Sequence, residues 1–221
     1  MILLHHCTDT RSFRALWALE EAGLPYRLRM WPFPPRALAR DYLQDNPLGT
    51  VPLLVDGATR MTESAAICHY LATRDGPGPL AVAPGEPDYG AFLNWLHFGE
   101  ATLTFPQAIV LRYGRFEPVP RRLPQVAEDY GRWFGARLRA IDAALAGADH
   151  VCAGRFTAAD ISIGYALLLA TISGCDRAFS PAVATYWERL RARAGYQAAR
   201  AAQDRAGQEQ GVPATDLRAT T

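Results

Sequence analysis

Apolar and polar residues alternate over short runs in the first third of the chain and settle into a helical period afterwards. Ile2 to Cys7, Tyr26 to Met30, Val51 to Val55 and Arg60 to Thr62 read as strands. Ser12 to Ala22, Arg36 to Gln44 and a run that opens at Ser64 read as helices. The order is βαβαββα, an α/β unit. Between Asp75 and Asp88 the chain reads DGPGPLAVAPGEPD, too rich in Pro and Gly for either regular structure to persist.

That segment sets the expected boundary: a first domain over 1–76, a linker over 77–88 and an all-helical domain over 89–207. In the second domain Phe92, Trp95, Leu96, Gly99 and Leu103 form one stripe, and Val126, Tyr130, Trp133, Phe134, Leu138, Ile141 and Leu145 another. Ile161 to Ile172 is apolar on nearly every side, as expected of a helix enclosed by others. Thr157 and Asp160 match the Ser/Thr-x-x-acid box that opens a helix, a folding role worth about 1 kcal/mol. Pro106 is expected to kink its helix. Residues 208–221 are polar, aperiodic and expected to form a loose tail.

Composition narrows the chemistry. Of 221 residues 49% are hydrophobic, and the formal net charge is +1. That balance leaves no electrostatic footprint for nucleic acid or an anionic membrane. All 23 basic residues are arginine, so Schiff-base and phosphate-loop lysines are excluded. Cys7, Cys68, Cys152 and Cys175 never form a C-x-x-C pair, and the five histidines lack ligand spacing, so no metal site is expected. The opening residues are too short for a signal-peptide core, and no apolar run approaches the roughly 18 residues that span a bilayer. The expected compartment is the cytoplasm.

A βαβαββα domain that carries Asn46-Pro47-Leu48-Gly49 ahead of Val51-Pro52, then Asp56-Gly57 and Glu63-Ser64, followed by helices that contain Phe156-Thr157-Ala158-Ala159-Asp160, resembles the glutathione transferase family. The resemblance spans about the first 205 residues. It implies a thioredoxin-like amino-terminal domain followed by an all-helical carboxy-terminal domain, assembled as a homodimer. It also implies glutathione as co-substrate, attacking a hydrophobic electrophile in detoxification chemistry.

The residues support that comparison in their own terms. Pro52 cannot donate to a ladder and belongs at a strand end or in a cis turn. A cis bond, which the family implies, leaves the Val51 backbone open to an extended peptide such as glutathione. Ser64, at a helix start, suits both an N-cap and an anion site for the γ-glutamyl carboxylate, and Glu63 suits the ammonium group.

A thiol of pKa about 8.5 must be held as thiolate to react, by a hydroxyl donor or a positive field. The loop between the first strand and helix offers Thr8, Asp9, Thr10, Arg11 and Ser12, where the better-studied classes carry Tyr, Ser or Cys. Counted from the amino terminus Thr10 falls on the catalytic position; counted back from Arg14, Asp9 does. Thr10 is the physically better donor, because an ionised Asp9 disfavours a neighbouring thiolate. Ser12 is the second candidate, with an N-cap as its alternative role, and Arg11 is a candidate for charge stabilisation. Cys7 is the rival: a mixed disulfide there turns conjugation into thiol transfer, although a strand-end cysteine is more often buried and inert. His5 and His6 alternate faces, so at most one reaches a cleft. Trp95, Phe98, Phe105 and Tyr113 are candidate aromatic surface for the second substrate. The alternatives to a transferase are a glutathione-dependent disulfide or peroxide reductase and a non-catalytic binding module.

Overall fold

A computed structural model describes residues 1–76 and 78–213. The chain groups into two compact units, one of residues 1–80 with 192–213 and the other of 81–191. The first holds β1 (Ile2–His6), α1 (Ser12–Glu21), β2 (Tyr26–Met30), α2 (Pro35–Leu38), α3 (Tyr42–Asp45), β3 (Leu53–Asp56), β4 (Thr59–Met61) and α4 (Ser64–Thr73). The expected helix over Arg36 to Gln44 is split into α2 and α3, because Ala39 leaves helical geometry at φ −141°, ψ 76°. The third strand starts at Leu53 rather than Val51, after a cis Val51–Pro52 bond.

The four strands form one mixed sheet in the order β2-β1-β3-β4. β1 runs parallel to β2 with Leu4 opposite Leu28, and antiparallel to β3 with His5 opposite Leu53. β3 is antiparallel to β4, Leu54 facing Met61. This topology brings the carboxyl ends of β1 and β4 and the amino end of β3 to one edge of the unit. The β1–α1 loop, Val51-Pro52 and Glu63-Ser64 all emerge there. α1 packs against α4, and the two faces of the sheet divide the histidines. His5 lies with Trp31 and Tyr42, while His6 lies beneath α1.

The sequence assigns all helices from 89 to 207 to one domain, but α10 (Ala194–Glu209) groups with the sheet instead. Its seam with α1 is aromatic: the Tyr196 ring meets Phe13 and Trp17 edge-on at 5.4 and 5.1 Å. Glu21, at the end of α1, accepts two hydrogen bonds from Arg193, at 2.7 and 2.8 Å, and one from Trp17 Nε1 at 2.9 Å. The loose tail expected from Gln208 does not start there, since Gln208 and Glu209 are helical; 214–221 lie outside the described residues.

The second unit is helical. α5 (Tyr89–His97) passes through a π-helical stretch, Phe98–Thr104, into α6 (Phe105–Leu111). Pro106 falls in the first turn of α6 rather than in a helix interior, and the helix type changes just before it. α7 (Pro124–Ala144), α8 (Ala158–Ser173) and α9 (Pro181–Arg191) complete the unit. Every residue of α8 but Thr171 is buried, as its sequence implies. Gly99 lets it come close: a Cβ there meets Ser162 atoms at 2.4–2.6 Å. Among the described residues no helix is long and apolar enough to cross a membrane.

The Thr157/Asp160 capping box is formed. Asp160 does more than cap, however. Its fully buried carboxylate accepts from the Thr157 N–H at 2.8 Å, the Tyr186 hydroxyl at 2.6 Å and the Val151 N–H at 3.3 Å. With the Thr157 hydroxyl at 3.2 Å, Asp160→Ala strands four buried donors, so the expected destabilisation is roughly 3 kcal/mol or more, well above that of an ordinary cap. A thermal melt checks it, and an unchanged melting temperature refutes the role.

Candidate functional site

The candidate residues of the first unit come from the three chain segments that meet at one sheet edge. After β1 the chain turns sharply: Thr10 N–H and Oγ1 both donate to the Cys7 carbonyl, at 3.3 and 2.9 Å. Thr10 is 7% exposed and Ser12 is fully buried. Ser12 is not an N-cap. It is the first helical residue of α1, and its hydroxyl turns back to accept the Cys7 N–H at 3.3 Å and to bond His6 Nδ1 at 2.7 Å. Arg11 occupies the cap position, with helical dihedrals and no capping side-chain bond. Thr10 and Ser12 hydroxyls are 2.9 Å apart.

Asp9 has φ +58°, a left-handed conformation uncommon for a residue with a side chain. Its carboxylate pairs with Arg200 and accepts from Gln203 Nε2 at 2.8 Å, both on α10. Arg200 and Gln203 have no local signal in the sequence, since a polar residue on a carboxy-terminal helix usually faces solvent. His6 Nε2 lies 3.0 Å from Gln203 Oε1.

Cys7 is fully buried with Trp31, Tyr42 and Leu53, its Sγ 3.8 Å from the Pro32 carbonyl. Burial pushes its thiol up to about 12. Both histidines of the strand are packed: His5 stacks on Trp31 at 6.0 Å and accepts its Nε1–H at 3.0 Å. Burial pushes His6 down to about 4, so the ring is neutral.

The approach to Val51 is built by the Asn46-Pro47-Leu48-Gly49 turn. Asn46 Nδ2 donates to the Thr50 carbonyl at 2.8 Å, Tyr42 hydroxyl donates to the same oxygen at 2.7 Å, and Asn46 Oδ1 accepts the Leu48 N–H at 3.1 Å. Gly49 is required twice over: its φ is +58°, and a Cβ there falls 2.6 Å from Arg36 Cβ. Val51 is half-buried and Pro52 buried. Among the described residues no partner bonds the Val51 main chain.

At α4 the cap position belongs to Glu63, not Ser64, and no side chain caps it. The Ile67 N–H is the first to bond back, to the Glu63 carbonyl at 2.9 Å, so the N–H groups of Ser64, Ala65 and Ala66 precede the intrahelical ladder. Ser64 is 3% exposed, and its Oγ accepts from the Arg14 guanidinium at 3.2 Å. Arg14 is fully buried inside α1, so a positive charge lies under the amino end of α4. Glu63 is exposed, without a partner among the described residues. This edge thus joins an anion-favouring helix start, a carboxylate and an open strand end.

In the helical unit Trp95 and Phe98 pack edge-on at 5.0 Å. Phe105 is 49% exposed and Trp133 44%, with Tyr130 between them at 6.3 and 5.3 Å. Tyr113 lies under the Arg112 guanidinium. Among the described residues no three His, Cys, Asp or Glu side chains group as a metal site.

Two expectations follow. A buried His6 whose folded value is near 4 is stabilising only when neutral, so its contribution is full above about pH 6.5 and disappears as pH falls to about 4, by up to about 3 kcal/mol. Denaturant melts across that window check it, and a His6→Gln variant with the same pH slope as wild type removes His6 as the source. Cys7 and Cys68, both pushed to about 12 by burial, should resist alkylation of the native protein. Peptide mapping reads the outcome, and rapid labelling of Cys7 contradicts its inert setting.

Comparison with known proteins gives the context of these residues. The family model for the glutathione S-transferase amino-terminal domain matches residues 10–74. Glutathione S-transferase 3 of Schizosaccharomyces pombe is 36% identical over 106 residues, 47% of this chain and 43% of that protein. The chain spans less than half the length of the two fungal relatives it matches. Glutathione S-transferase 3 of Zea mays is 30% identical over 166 residues, 71% of this chain and 73% of that protein. A sphingomonad glutathione S-transferase, solved in complex with glutathione, superposes with a TM-score of 0.79 at 27% identity, over 91% of this chain and 98% of its own. The fold is thioredoxin-like followed by helices, and the chain belongs to the glutathione S-transferase family.

Proposed function

We propose that this protein is a glutathione transferase that binds glutathione along the shared edge of its first unit and activates the thiol for attack on an electrophile. One observation carries the reading: the β1–α1 loop, the open backbone at Val51 and the α4 start all emerge at one sheet edge, with Arg14 buried 3.2 Å from Ser64 Oγ. In this reading the tripeptide pairs with the Val51 main chain as a short added strand. Its γ-glutamyl carboxylate meets the Ser64 hydroxyl and the first N–H groups of α4, in the field of Arg14. Glu63 takes the ammonium group, and Arg11 adds positive charge near the loop. The sphingomonad relative solved with glutathione supports the choice of ligand.

Thr10 is the candidate donor to the sulfur. Its hydroxyl donates to the Cys7 carbonyl, lies 2.9 Å from Ser12 Oγ and can turn to a thiolate, which a hydroxyl donor stabilises. Ser12 is fully enclosed, and the Asp9 carboxylate is engaged with α10. The burial of Cys7 disfavours the disulfide-exchange alternative. Family membership extends the proposal to a cytoplasmic homodimer with a hydrophobic second substrate.

The test is an ultraviolet titration of the thiolate of bound glutathione. The thiol should ionise below its free value in wild type and shift back by about one unit in Thr10→Ala. Glu63→Ala should weaken glutathione binding roughly tenfold. No binding by wild type overturns the transferase reading, whereas binding without a shift identifies a module that holds glutathione without activating it.

A further inference from the structure

The buried amide of Gln203 lies 194 positions from Asp9 in the chain, yet it bonds both ends of that residue. Its Nε2 is 2.8 Å from Asp9 Oδ1, and its Oε1 accepts the Asp9 N–H at 3.3 Å. A carboxylate only accepts and a backbone N–H only donates, so the orientation of the amide is determined twice, independently. Oε1 also lies 3.0 Å from His6 Nε2. A carbonyl oxygen cannot donate, so His6 carries its proton on Nε2.

The consequence passes along the ring. A neutral imidazole holds one proton, and His6, enclosed and beside Asp9 and Arg200, is neutral at physiological pH. Its Nδ1 is therefore an acceptor, and Ser12 Oγ, 2.7 Å away, must be the donor. With its single proton given to His6, Ser12 can only accept from Thr10 at 2.9 Å. Thr10 then divides its own proton between Ser12 Oγ and the Cys7 carbonyl, and both keep a donor if it leaves: the Cys7 carbonyl keeps the Thr10 N–H and Ser12 Oγ the Cys7 N–H.

We propose that Gln203 is a positioning residue for thiol activation: it holds Asp9 in the left-handed turn ahead of Thr10 and, through His6, commits the Ser12 proton, so that of the two hydroxyls Thr10 is the one able to turn to the sulfur. Arg200 assists by pairing with the same carboxylate. The inference rests on the transferase reading for its effect on glutathione, but the order of protons stands apart from it. A helix of the far carboxy-terminal region is thereby part of the activating machinery without touching the reacting atoms. A latch that served only stability would lower the melting temperature and leave the thiol alone.

The experiment has two arms. Nitrogen-15 spectra of the wild-type histidine rings, with no ligand, should show His6 as the Nε2–H tautomer; an Nδ1–H tautomer overturns the proposal. In Gln203→Met the pKa of bound glutathione should rise by at least half as far as in Thr10→Ala, while affinity for S-methylglutathione, which has no ionisable thiol, changes by less than about threefold. A thiol pKa that stays at the wild-type value, or one that falls, also overturns it. If Gln203→Met does not fold, Gln203→Asn, whose neutral amide is one methylene too short to reach Asp9 and His6 together, takes its place with the same expected rise. Failure of wild type to bind glutathione defeats the transferase reading, and leaves the tautomer result to be judged by itself.

Discussion

An imidazole with no contact to solvent must find hydrogen-bond partners inside the protein, and in this fold that requirement falls on His6. One of its nitrogens is met by the Gln203 amide and the other by the Ser12 hydroxyl. The first partner brings α10 onto the sheet unit, and the second binds the start of α1 to the end of β1. Asp9 is held on the same amide, so the loop that carries Thr10 is stretched between a strand and two helices. Around this polar line the seam is closed by Phe13, Trp17 and Tyr196, with Glu21 paired to Arg193 at its end. Burial strengthens the line as it isolates it: in a poorly polarisable setting paired groups hold tightly, and an unpaired one is heavily penalised.

The second constraint is topological. Because β3 and β4 run antiparallel to their neighbours, three segments distant in sequence leave the sheet at a common edge. None of them makes a site alone. Val51-Pro52 is a strand entry, Glu63-Ser64 a helix start, and the Thr10 loop a tight turn with Asp9 left-handed. Set together, with the Arg14 charge beneath Ser64, they make an edge suited to an extended peptide with charged ends. The Asn46 to Gly49 turn keeps Thr50 and Val51 in place by bonding the Thr50 carbonyl twice. The helical unit has its own core in α8 and its own polar anchor in Asp160, whose donors come from Val151, Thr157 and Tyr186.

Much of this was legible before any fold was known, where the signal was local. Strand and helix periods placed the elements of the first 76 residues and the stripes of α5, α7 and α8, Pro52 pointed to a strand entry, and Thr157 with Asp160 marked the opening of α8. The departures have physical causes. Ser12 and Ser64 both looked like caps, because a serine ahead of an apolar run usually is one; each instead sits one residue inside its helix and bonds a side chain of another element, His6 of β1 or Arg14 of α1. Asp160 looked like half of a capping box, since the Tyr186 hydroxyl and the Val151 N–H lie outside that local pattern.

The sequence by itself determined the order of elements, the thioredoxin-like and helical division, the exclusion of lysine chemistry and the family motifs, because each depends on residues within a few positions of one another. The tertiary structure alone decided that α10 belongs with the sheet, that Cys7 is enclosed and that the protons of His6, Ser12 and Thr10 run in one direction. The first and last depend on Gln203 and Arg200 meeting Asp9 across almost the whole chain, and the second on Trp31, Tyr42 and Leu53 closing over Cys7. A linear pattern records periods and neighbours, whereas hydrogen-bond direction depends on which groups burial brings within 3 Å of one another.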